Sequence, residues 1–95
     1  MTGMTRSSAG LDERRRRLLY RAWHRGTREV DLIMGRFADV VIGDLSEAEV
    51  KAFESLSDLP DPDLYAWISG SRPVPAEYDV EMFRRLRDFH TTGAA

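Results

Sequence analysis

Val30, Ile33, Met34, Phe37, Ala38 and Val41 recur at i, i+3, i+4, i+7, i+8 and i+11. That period lies along one face of an α-helix, whereas a strand would divide these residues between opposite faces. A helix with one continuous apolar stripe must bury it against neighbours, because short helices are marginal alone in water. The stripe therefore predicts an amphipathic helix over about Thr27 to Val41, packed within a helical bundle. Strand signals are nearly absent: Asp39-Val40-Val41-Ile42 is the only β-branched run, and it continues the helical pattern. Gly35 lies off the stripe inside the helix and costs about 1 kcal/mol relative to alanine. Close approach of another helix or of a partner would account for it.

Four more helices follow from local signals. The first runs from about Leu11 to Arg25, with Leu18, Leu19, Ala22 and Trp23 on one face and Arg14, Arg17, Arg21 and Arg25 along the adjacent one. Gly26 stands where a helix-ending glycine is expected. In the third, Ser46 and Glu49 have the spacing of a capping box, and Leu45 and Val50 that of a hydrophobic staple. Phe53 and Leu56 extend its buried face. In the fourth, Asp61 is expected as the cap, Pro62 at the first helical position and Gly70 at the end. The fifth is expected from Pro75 or Ala76 to His90, with Tyr78, Met82, Phe83, Leu86 and Phe89 facing inward. The fold class is all-α: a small five-helix bundle over residues 11–90 with short connections. Residues 1–10 and 91–95 are expected to be flexible tails.

Ninety-five residues make one domain. The chain has no cysteine, which removes disulfides, thiolate metal sites and thiol catalysis. No apolar run approaches the ~20 residues of a membrane helix, and Met1 to Gly10 lacks the apolar stretch of a secretory signal. Cytoplasmic residence without membrane insertion is the expectation. The two histidines, His24 and His90, are far apart, and no zincin, nucleophile-elbow or phosphate-loop pattern occurs. His24 reads as a surface residue and the chain as a non-enzyme. Asp58, Asp61 and Asp63 lack the calcium-loop spacing and read as caps and a solvated loop. Trp23, Trp67 and the phenylalanines sit on helical stripes and read as core.

Charge is uneven around a net −2: residues 12–29 hold seven arginines against three acids, and residues 44–63 hold seven acids against one lysine. Either an oriented encounter with a partner or two solvated faces would explain that polarity. The arginine row could also track phosphates. Against this, the chain is net acidic, and the second helix carries Asp31 and Asp39 on its polar side.

The segment Arg25-Gly26-Thr27-Arg28-Glu29 falls where the first two helices turn. Chance supplies Arg-Gly-x-x-Glu in about 2% of chains this long, so context decides its weight. It reads as a helix end with charges placed to suit the two helix dipoles. It reads equally as a compact charged knuckle, with Arg25 and Glu29 projecting beside a glycine that leaves room for another backbone.

The downstream residues resemble a family. His24-Arg25-Gly26-Thr27-Arg28-Glu29-Val30-Asp31, Gly35-Arg36-Phe37, Leu45-Ser46, Phe53-Glu54-x-Leu56 and Asp61-Pro62-Asp63-Leu64-Tyr65-x-Trp67 before Gly70 occur in one order. In that order and spacing the chain resembles the succinate dehydrogenase assembly factors, which promote covalent flavin attachment to the flavoprotein subunit. The resemblance runs from about Arg14 to Phe89. It implies a five-helix bundle that binds the flavoprotein subunit of succinate dehydrogenase, or of a fumarate reductase relative. A client histidine would attack the flavin 8α-methyl position. FAD would belong to the client, with no cofactor held stably by this chain and no nucleic acid as partner. Arg25, Gly26 and Glu29 are then the partner-binding motif residues, with Arg28 and Asp31 as neighbours. The run Arg14 to Arg17 has no counterpart in the family pattern. A helical adaptor of an unrelated pathway, or a weak nucleic-acid binder through the first helix, is the alternative.

Overall fold

A computed structural model of the chain describes residues 9–93. Most of the expected N-terminal tail therefore lies outside the described residues, as do the last two positions. Five α-helices and one 3-10 turn make up the described fold: α1 (Glu13–Trp23), α2 (Arg28–Val41), α3 (Glu47–Ser57), α4 (Asp61–Ser69), the 3-10 turn Ala76–Tyr78 and α5 (Glu81–Thr92). No strand occurs among the described residues.

α2 is the centre. All six members of its stripe are buried, and the helix packs against α1, α4 and α5. α3 packs on α1 and α5. Phe37 anchors the interior, with its ring centroid 5.6 Å from those of both Phe53 and Phe89. Such edge and tilted contacts suit the aromatic quadrupole. Gly35 is explained by α1: a Cβ there would fall 2.5 Å from Cε2 and Cε3 of Trp23. The indole lies flat against the α2 backbone and donates its Nε1–H to Asp39 at 3.0 Å.

Local end signals fare unevenly. The α3 capping box forms in full: Ser46 Oγ accepts the Glu49 N–H, and Glu49 Oε1 accepts the Ser46 N–H. Gly70 closes α4 in the left-handed region, at φ +83°. α1 is shorter than expected, with Leu11 buried but outside the helix and His24 already turned out of it. In α4 Pro60, not Asp61, occupies the cap position, and Pro62 is the second helical residue. The fifth helix is broken. Tyr78 sits in a separate 3-10 turn, stacked on Trp67 at 5.3 Å, and α5 begins only at Glu81. It then runs past His90 to Thr92, where the threonine hydroxyls bond back to the Arg87 and Asp88 carbonyls and Gly93 ends it. Thr91 and Thr92, expected in the C-terminal tail, are therefore helical.

The charge polarity is largely satisfied within the molecule. Arg14 grips Glu54 with two bonds of 2.9 and 2.7 Å and also reaches Glu47. Arg15 bonds Asp12 and the Leu45 carbonyl. Arg21 meets Asp58 at 2.9 Å. The basic first helix and the acidic third therefore face each other. The arginine row is not a free stripe for phosphates, which removes the main support for the nucleic-acid reading.

These contacts set an acid limit. Hydrogen bonding from Arg14 holds the Glu54 carboxyl below the usual glutamate range. The Ser46 N–H, with Arg85 beside it, does the same for Glu49. A carboxylate whose folded pKa is depressed contributes stability above its unfolded pKa and loses it as pH falls through the folded value. Stability should therefore decline from the ordinary glutamate range downward. Glu54→Gln should be less stable than the parent at about pH 7, with the gap narrowing as pH falls below the ordinary glutamate range, as read by urea midpoints. A gap that stayed constant with pH would contradict this.

Candidate functional site

The corner between α1 and α2 is the four-residue link His24 to Thr27. Its shape starts with Trp23, which fixes the end of α1 against Gly35 and Asp39 of α2. His24 leaves the helix with ψ 48° and stacks on exposed Tyr20, centroids 3.9 Å apart. Gly26 follows at φ +100°, a conformation that L side chains rarely adopt. Nothing lies within 4 Å of where its Cβ would be. Glycine is therefore needed for the turn, and the space outside it is open.

The motif residues divide into two groups. Gly26, Thr27, Arg28 and Glu29 are exposed. Among the described residues neither the Arg28 nor the Glu29 side chain makes a hydrogen bond or ion pair, in contrast to Arg14, Arg15, Arg17 and Arg21 of α1. Glu29 and Asp31 lie in the first turn of α2, where the helix dipole favours negative charge.

Arg25 departs from the expected outward projection. Its side chain is only 9% exposed and runs beneath the corner to the α3–α4 link. Nε donates to Asp61 Oδ1 at 2.6 Å, Nη1 to the Ser57 carbonyl at 2.7 Å and Nη2 to the Leu59 carbonyl at 2.7 Å. The physical reason is supply. The last carbonyls of α3 have no intrahelical donors, and a guanidinium can serve several acceptors at once. Asp31 is half-buried and also turned to the base: its Oδ1 accepts the Arg25 backbone N–H at 2.6 Å. So Gly26, Arg28 and Glu29 form the presented surface, and Arg25 and Asp31 the support under it.

The three aspartates of the α3–α4 region form no common cluster. Asp58 pairs with Arg21, Asp61 with Arg25 and Asp63 with Arg72. Reading them as caps and solvated loop missed these pairings, which join residues 9 to 37 positions apart. No group of side chains able to hold a metal ion is found among the described residues, and no helix among them is long and apolar enough to cross a membrane.

These features define a class: an all-α bundle that presents a glycine turn and two charged side chains, unpaired among the described residues, on a base fixed by buried hydrogen bonds. The chain belongs to the family described as the flavinator of succinate dehydrogenase, whose model it matches over residues 16–90, from α1 through most of α5. It is 40% identical over 76 residues to the FAD assembly factor SdhE of Acetobacter pasteurianus, covering 80% of this chain and 70% of that protein. It is 35% identical over 77 residues to a mitochondrial succinate dehydrogenase assembly factor 2 of Dictyostelium discoideum, covering 81% of this chain. With the Danio rerio protein of the same name it shares 33% over 86 residues, 88% of this chain. The chain spans about half the length of these two mitochondrial relatives, 55% and 54%.

Proposed function

We propose that this chain is an assembly factor that binds the flavoprotein subunit of succinate dehydrogenase and promotes covalent attachment of FAD to it. One observation carries the site assignment: Gly26 leaves open space at a braced corner beside Arg28 and Glu29, whose side chains have no partner among the described residues. Family membership and the names of the relatives support the client. A fumarate reductase flavoprotein is a second client of the same chemistry. FAD stays with the client, and the chain contributes no reacting group.

The mechanism is differential binding. An assembly factor can shift its client only by the difference in its affinity for two client conformations. The corner favours the client conformation in which a client histidine meets the flavin. Gly26 allows backbone-close approach, and Arg28 and Glu29 read opposite charges across the contact. The encounter takes place in the cytoplasm, without membrane insertion or nucleic acid.

The test is co-purification. A tagged chain expressed in its own cells should bring down the flavoprotein subunit, and Glu29→Ala should reduce that recovery. Recovery of a partner unrelated to flavoproteins, with no flavoprotein subunit, would instead favour the helical-adaptor reading.

A further inference from the structure

Asp61 lies 36 residues from Arg25 and outside the Arg-Gly-x-x-Glu segment. Its carboxylate is 12% exposed, and one of its oxygens, Oδ2, is buried without a hydrogen-bond partner. A buried carboxylate in that state depends for its compensation on the guanidinium bonded to the other oxygen. The guanidinium depends in turn on Asp61 for its only acid partner among the described residues, its other two acceptors being carbonyls. The pair is therefore mutual, and it lies directly beneath the corner.

The geometry transmits this pairing to the turn. Arg25 is held at its backbone by Asp31 of α2 and at its side chain by Ser57, Leu59 and Asp61. Residue 25 is thus fixed from two directions, and the next residue is Gly26 at φ +100°. A glycine in an open turn has little conformational restraint of its own. The course of the link at Gly26 and Thr27 is set through Arg25 on one side and, on the other, by the first turn of α2, which carries Arg28 and Glu29.

We propose that Asp61 is a positioning residue for the docking corner: through Arg25 it fixes the orientation of the Gly26 turn, so the α3–α4 link governs client affinity without touching the client. This rests on the proposed function for its client, and on the ion pair alone for its structural part. Lysine cannot replace Arg25, because a single ammonium on a flexible stem does not reproduce a planar fork spread over three acceptors.

The test combines affinity and order in the intact chain. Affinity for the purified flavoprotein subunit is measured for Arg25→Ala, Asp61→Ala and the double variant, at a temperature where circular dichroism shows each folded. Asp61→Ala should weaken binding by roughly tenfold, the cost of re-ordering a loosened turn on contact. The double variant should bind no worse than the weaker single one, since both remove one device. Arg25→Lys should not restore affinity. Asp63→Ala, which removes the exposed Arg72 pair on the same helix, should bind as the parent does. Should Asp61→Ala fail to fold, Asp61→Asn keeps an acceptor for Nε and removes the charge, and should show a smaller loss in the same direction.

Backbone 15N relaxation of residues 26–29 supplies the readout that a merely stabilising role would not move. The parent should be ordered there and the Asp61 variants loosened. Unchanged affinity in folded Asp61→Ala, or strictly additive losses in the double variant, would overturn the proposal. If the parent itself fails to bind a flavoprotein subunit, the function reading falls. The positioning role is then judged on relaxation alone: unaltered order at 26–29 in Asp61→Ala overturns it.

Discussion

Gly26→Arg is expected to leave the bundle folded and to remove client binding. The space around a Cβ at this position is empty, so the arginine meets no internal clash. The cost to the fold is the backbone term: a non-glycine residue at positive φ costs about 1–2 kcal/mol. Gly26→Ala carries that same strain with almost none of the bulk and serves as the control. Both variants should lose similar stability. Only the arginine should fill the approach path of a partner and add a charge at its centre, weakening affinity by more than about 30-fold, the scale of a central hot spot. Thermal melts and binding to the purified flavoprotein subunit check the two halves separately. Equal affinities for the alanine and arginine variants would show that Gly26 serves the turn alone and that no partner comes close there.

Gly35→Ala should be the reverse case, a change far from any partner with a large effect on stability. On an exposed helix this substitution gains about 1 kcal/mol. Here the new methyl group would overlap the Trp23 indole, whose position is fixed by its bond to Asp39. Over-packing of this kind costs about 1–3 kcal/mol or more, against a total of roughly 5–14 kcal/mol for a domain this size. The melting temperature should fall by about 4–8 °C for each kcal/mol. Trp23→Ala should cost about 3–5 kcal/mol by itself. In that background Gly35→Ala should turn neutral or stabilising, because the ring it strikes has gone. Additive losses in the double variant would contradict the assigned contact.

The helices legible in the sequence are those set by short-range period or chemistry. The α2 stripe needs only the 3.6-residue repeat, and all six of its members are buried. The Ser46–Glu49 box needs residues three apart, and it forms. Gly35 was legible as a close approach, but its partner was not, because the packing of Trp23 depends on how two helices lie together. The break before α5 was missed for the same kind of reason: Tyr78 follows Trp67, eleven positions earlier, rather than the helical repeat of its own segment. The candidate site divides along the same line. The Gly26 turn and the outward Glu29 follow from local sequence, while Arg28 entered only through the family resemblance. The inward course of Arg25 does not, since its acceptors lie 32 to 36 positions away and carry no local mark. The charge blocks were visible, but charge alone could not decide between an external partner and the α1–α3 contact.

The most direct test of the account is the covalent flavin itself. Cells with the gene deleted should still contain the flavoprotein subunit of succinate dehydrogenase, but its fluorescent flavin band on a denaturing gel should be lost or sharply reduced. The wild-type gene should restore the band and the Gly26→Arg gene should not. A flavin band of undiminished intensity in the deletion strain would contradict the assignment.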